Sequence, residues 1–115
     1  MELLHEKKFP PTKLIRWSAE IFLCLSTNNI VMSHYDIAEI VCKKYNAEEY
    51  ISHVRNTIGL ILQKLHRDKR LGSLHIENKN AAYYQLPIFF EDGLKTLKQE
   101  HRNLLPAGAR MRVYI

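Results

Sequence analysis

Residues 46–87 read NAEEYISHVRNTIGLILQKLHRDKRLGSLHIENKNAAYYQLP, and the apolar period changes part-way through them. In its first half Ile51, Val54, Ile58, Ile61, Leu62 and Leu65 recur three or four apart, which lines one face of a helix. The helix is expected over about Glu49 to Arg67. A basic elbow follows, His66-Arg67-Asp68-Lys69-Arg70, and then Gly72. In the second half the apolar period falls to two: Leu74 and Ile76 mark one strand, Tyr84 and Leu86 the next, with Glu77-Asn78-Lys79-Asn80 as the polar turn between them. Of Tyr83 and Tyr84, which alternate across the strand, one is expected in the core and one outside. A long helix therefore feeds a short hairpin through a positively charged exit.

Upstream, Thr12 is a suitable N-cap for a helix of about Lys13 to Ser26. Leu14, Trp17, Ile21, Phe22 and Leu25 form its inward stripe, with Lys13, Arg16 and Glu20 outside. Trp17 falls within the stripe, so it reads as a core anchor. Asn28-Asn29 ends the helix, and Ile30-Val31-Met32 is long enough for a small strand. Ser33 then caps a second helix of about His34 to Lys44, with Asp36 in its first turn and Ile37, Ala38, Val41 and Tyr45 inward. Residues 1–11, with Lys7, Lys8 and Pro10-Pro11, read as a flexible lead-in.

Downstream, Pro87 and Ile88-Phe89-Phe90 precede a fourth helix of about Asp92 to Leu105. Its stripe is Leu94, Leu97, His101 and Leu104, and Pro106-Ala107-Gly108 stops it. The alternating tail Met111-Arg112-Val113-Tyr114-Ile115 suits an edge strand or pairing with another chain. Gly59 lies inside the third helix, where glycine costs about 1 kcal/mol against alanine. Close packing on another helix, or close approach of a partner's backbone, would account for it.

The chain has 115 residues, 46% of them hydrophobic, which suits one domain with a single core. Its net charge of +5 favours an anionic partner. Cys24 and Cys42 fall in amphipathic helices and read as buried free thiols of a reducing, cytoplasmic compartment, or a nuclear one if the source has a nucleus. No apolar run reaches the length of a membrane span. The six histidines are scattered singly, with no HExxH pair and no zinc spacing to either cysteine, and the four glycines form no phosphate loop. Ser33-His34-Asp36 reads as a helix start rather than a triad. Neither an enzyme nor a cofactor or metal site is expected.

Helix, short strand, helix, helix and hairpin, in that order, resembles the winged helix-turn-helix superfamily. The segment Val54-Arg55-Asn56-Thr57-Ile58 through Leu65-His66-Arg67-Asp68-Lys69-Arg70-Leu71 is similar to that superfamily's recognition helix and its exit into the wing. The resemblance implies a mainly α fold with a small β-hairpin (α+β): a winged-helix domain over 12–90, followed at 91–115 by a C-terminal helix and tail. It also implies a binder of double-stranded DNA, such as a small transcription regulator or an accessory factor of a phage or mobile element.

On that resemblance the third helix enters the major groove with its non-core residues. Arg55, Asn56 and Gln63 are the candidates to read bases, because arginine bonds guanine bidentately and the amides bond adenine. Ser52, Thr57 and Lys64 suit phosphates, and His53 also faces outward. Arg67, Lys69 and Arg70 at the helix exit and Lys79 at the wing tip would grip the backbone. Over 51–90 six cations oppose the two carboxylates Asp68 and Glu77, an excess of +4 out of +5. Phe89, Phe90, Leu94, Leu97 and Leu104 would join two copies in a homodimer, or else fold back on their own core. Glu48 and Glu49 at the start of the third helix depart from a phosphate-facing pattern and suit a second reading, a winged-helix adaptor that binds protein and not DNA.

Overall fold

A computed structural model describes residues 11–100 and 110–115. The basic residues Lys7 and Lys8 of the lead-in, together with His101, Leu104 and the Pro106-Ala107-Gly108 stop, lie outside the described residues. The architecture is mainly helical with one small antiparallel sheet.

The first helix begins later than Thr12 suggests. Residues Pro11–Leu14 form a 3₁₀ turn, and helix α1 spans Trp17–Asn28 with Arg16 at its N-cap and no side-chain cap bond. The break shifts the phase of the stripe: Ile15 is buried, whereas Leu14 is 69% exposed. Glu20, expected outside, is also buried. Lys44 Nζ donates to its two carboxylate oxygens at 2.8 and 3.0 Å, and the Tyr45 hydroxyl donates to Oε2. A buried carboxylate is tolerated when it is paired in this way.

Helix α2, His34–Tyr45, starts where the capping residues place it. Ser33 Oγ accepts from the Asp36 N–H, and the Asp36 carboxylate accepts from the Ser33 N–H, a reciprocal capping box. Asn46 ends the helix in the left-handed region at φ 53°. Glu48 and Glu49 belong to a separate 3₁₀ turn, Glu48–Tyr50, ahead of helix α3, Ile51–Arg67. The stripe of α3 is inward: Val54, Ile58, Leu62 and Leu65 are buried, with Ile51 and Ile61 half-buried against the same core. There they meet Ile21 and Leu25 of α1 and Ile37 and Val41 of α2. Helix α3 ends in a Schellman turn, Arg70 N–H to Leu65 O and Lys69 N–H to His66 O, at 2.8 and 2.9 Å. Lys69 occupies the left-handed position usually given to glycine, at φ 64°.

Strand β1, Gly72–Ile76, pairs with β2, Tyr83–Gln85, and the turn between them is longer than the four residues expected, with Asn78 at φ 69°. The strand expected at 30–32 is a single bridge: Met32 exchanges both backbone hydrogen bonds with Tyr84. Neither tyrosine is outside. Tyr84 is buried in the helical core and Tyr83 is half-buried on the opposite face. Gln85 is fully buried yet satisfied, since Nε2 donates to Leu25 O and Ile30 O and Oε1 accepts from the Leu86 N–H.

Helix α4, Phe90–Glu100, follows a 3₁₀ turn at Pro87–Phe89 and so starts before Asp92. Phe90 and Leu97 are buried with Val31, Leu74 and Ile76 in a second cluster, and Leu94 packs against it. The apolar surface of these three residues is thus used within the chain, while Phe89 is 37% exposed. The approach of α4 is close: a Cβ on Gly93 would lie 3.1 Å from the Val31 backbone nitrogen. Strand β3, Met111–Tyr114, pairs antiparallel with the free side of β1, giving the order β2–β1–β3. Cys24 and Cys42 are buried free thiols, and burial raises both above their ordinary pKa. Among the described residues no helix is long and apolar enough to cross a membrane.

Candidate nucleic-acid interface

The two faces of β1 do different things. Leu74 and Ile76 point to α4, which leaves Ser73 and His75 on the side of α3. Ser73 Oγ lies 3.1 Å from His66 Nε2, tying the strand to the last turn of α3. Directly opposed residues of an antiparallel pair share a face, so the register His75↔Arg112 and Ser73↔Tyr114 brings Arg112 and Tyr114 to this side as well. The Tyr114 ring stands edge-on to His75 and His66, at centroid distances of 5.4 and 6.4 Å.

Between α3 and the hairpin runs an open groove of about 740 Å³. Helix α3 contributes Arg55, Asn56, Leu60, Gln63 and His66, with Gly59 at its floor. The hairpin contributes His75, Lys79, Asn80 and Tyr84, and α2 contributes His34. Among the described residues the lining contains cations, imidazoles and amides but no carboxylate. Such a surface favours an anion.

Arg55 is held in place from α2. Its guanidinium lies over the Tyr35 ring, 5.2 Å from the centroid, and Tyr35 in turn stacks on His34 at 4.2 Å. A cation over an aromatic face gains about 0.5–1 kcal/mol at such a partly exposed site. Among the described residues the Arg55 Nε is buried without a hydrogen-bond partner. Burial and the Arg55 charge hold the His34 imidazole below its ordinary pKa, against the weaker pull of Asp36. The neutral form is thereby favoured, and the permanent positive charge at this corner is that of Arg55.

Of the residues expected to contact DNA, the groove unites Arg55, Asn56, Gln63 and Lys79. Ser52, His53, Thr57 and Lys64 lie on α3 outside its lining, and His53 sets its ring against Trp17 at 6.3 Å. Arg67, Lys69 and Arg70 are exposed at the helix exit, with the Arg70 guanidinium turned over Phe22 of α1 at 5.0 Å. Sequence reasoning missed Tyr35, which positions Arg55, and Leu60, the apolar residue of the outward face. It also missed the charge at β3: Arg112 within the strand and Arg110 just before it flank the hairpin beside His75 and Glu77, and the Arg110 N–H donates to Glu77 Oε1 at 3.3 Å. The basic alternation of the tail was the available signal for that charge. Gly59 is not required by packing, since a Cβ there would lie 3.7 Å from the His34 ring, an ordinary contact. Among the described residues no group of His, Cys, Asp and Glu is arranged to hold a metal ion.

No protein-family model, curated protein or solved structure matches the chain.

Proposed function

We propose that the chain is a winged helix-turn-helix module that binds double-stranded DNA, with α3 in the major groove and the hairpin along the adjoining backbone. The observation that carries this reading is the carboxylate-free groove between α3 and the hairpin, with Arg55 and Lys79 at its walls. The order α1, bridging Met32, α2, α3, β1, β2 supports it. In this reading Asn56 and Gln63 address base edges, Arg55 addresses a base or a phosphate, and Lys79, Arg110 and Arg112 address phosphates. Strand β3 makes the wing three-stranded and adds two arginines to the single lysine of its tip.

The test is a fluorescence-anisotropy titration of random duplex DNA at two salt concentrations. If Arg55, Lys79, Arg110 and Arg112 each meet one phosphate, the slope of log K against log salt is about −3.6, and a fourfold rise in salt weakens binding about 150-fold. R55A/N56A is expected to lose sequence preference while remaining folded. R110A/R112A is expected to halve the slope. Absence of duplex binding at low salt would refute the DNA reading and favour the protein-binding adaptor.

A further inference from the structure

Helix α3 presents one apolar side chain where the rest of its outward face is polar. Leu60 is 68% exposed and lines the groove. Asn56 stands one turn before it and Gln63 just under one turn after it, and both are exposed. The groove's other apolar lining residues, Ala81, Ala82 and Tyr84, belong to the hairpin and leave Leu60 largely exposed. Leu60 projects away from the inward stripe of Val54, Ile58 and Leu65.

We propose that Leu60 reads thymine: resting on the DNA-binding role argued above, its side chain meets a thymine 5-methyl group, and α3 selects A·T pairs. Base-pair edges in the major groove present donors, acceptors and one apolar group, which is that methyl. The flanking residues favour the same base pair, because asparagine and glutamine bond the N6 and N7 of adenine bidentately. An amide, a leucine and an amide in successive turns therefore form a reading strip for neighbouring adenines and thymines. Arg55, stacked on Tyr35 at the edge of this strip, remains free for phosphate or for a bounding guanine. The same feature selects DNA over RNA, since uracil lacks the methyl group and the major groove of an RNA duplex is too narrow and deep for side chains to read.

The experiment uses three duplexes of about 20 base pairs, alternating d(AT), alternating d(AU) and alternating d(GC), with the full chain at one low salt concentration. Replacing thymine by deoxyuridine keeps pairing and charge and removes only the methyl. The parent is expected to bind the d(AT) duplex about fourfold more tightly than d(AU) for each methyl it covers, and more tightly than d(GC). L60A is expected to bind d(AT) and d(AU) equally, with thermal unfolding at the parent temperature because the side chain is at the surface. Binding of all three duplexes by the parent, with no difference between d(AT) and d(AU), would overturn the role of Leu60 and leave the DNA reading standing. A T-over-U preference that survives in L60A would overturn it too. Failure of the parent to bind any duplex would overturn both.

Discussion

Replacing Gly59 by alanine is expected to make the protein more stable. Gly59 sits in the middle of α3, Ile51–Arg67. Glycine there costs about 1 kcal/mol against alanine, because more backbone freedom is lost on folding. The added methyl is harmless only if there is room for it. Its nearest neighbours would be His34 Cγ and Cδ2, both at 3.7 Å, and His34 Cβ at 3.9 Å, all within ordinary van der Waals contact. The gain is therefore about 1 kcal/mol, which corresponds to about 4 °C in Tm for a domain of this size. Urea denaturation followed by circular dichroism measures it, with a higher midpoint and an unchanged m-value. A lower midpoint would refute the reasoning, since α2 would then have to lie closer to α3 than these distances allow. A protein that is more stable but no longer binds duplex would show that a DNA backbone passes over Gly59.

Other consequences follow from single contacts. Gly72→Ala is expected to destabilise by about 1–3 kcal/mol in the same assay, since its Cβ would lie 2.7 Å from Cδ2 of the buried Phe90 ring. Lys69→Gly is expected to stabilise by roughly 0.5–1 kcal/mol, as the left-handed Schellman position then carries no side-chain penalty; a fall in the urea midpoint would contradict this. Burial raises the Glu20 pKa, but the hydrogen bonds from Lys44 and Tyr45 and the Lys44 charge outweigh it and hold the carboxyl below its ordinary value of 4.5. A depressed folded pKa stabilises above the unfolded value and is lost as pH falls through the folded one. Glu20→Gln should therefore be less stable than the parent at pH 7, and the two urea midpoints should converge as the pH drops below about 4.5.

What the sequence made legible was set by short-range chemistry. The stripe of α3 depends on spacing within one element, and the Ser33–Asp36 capping box closes over three residues, so both could be read directly. Thr12 has the right chemistry for a cap, but the chain turns through a 3₁₀ segment and restarts at Trp17, which sends Ile15 inward in place of Leu14. Glu20 has the pattern of a surface residue, and only partners 24 and 25 positions away make its burial tolerable. The candidate site divides in the same way. The polar residues of α3 were visible as the complement of its stripe. Leu60 was not singled out because a lone leucine on a polar face has no period of its own. The position of Arg110 and Arg112 depends on pairing between β1 and β3, which no local pattern encodes.

That pairing has a bearing on solubility. A three-stranded sheet has two outer strands, and an unpaired backbone edge is a template for another chain. Here β2 is partly covered by the Met32 bridge, and β1 is enclosed between β2 and β3. Among the described residues the remaining open edge belongs to β3, an exposed strand with Arg112 within it and Arg110 next to it. Stacking a second copy there would bring arginines of both copies together. The charges proposed to hold DNA thus also guard the sheet against growing into a larger one.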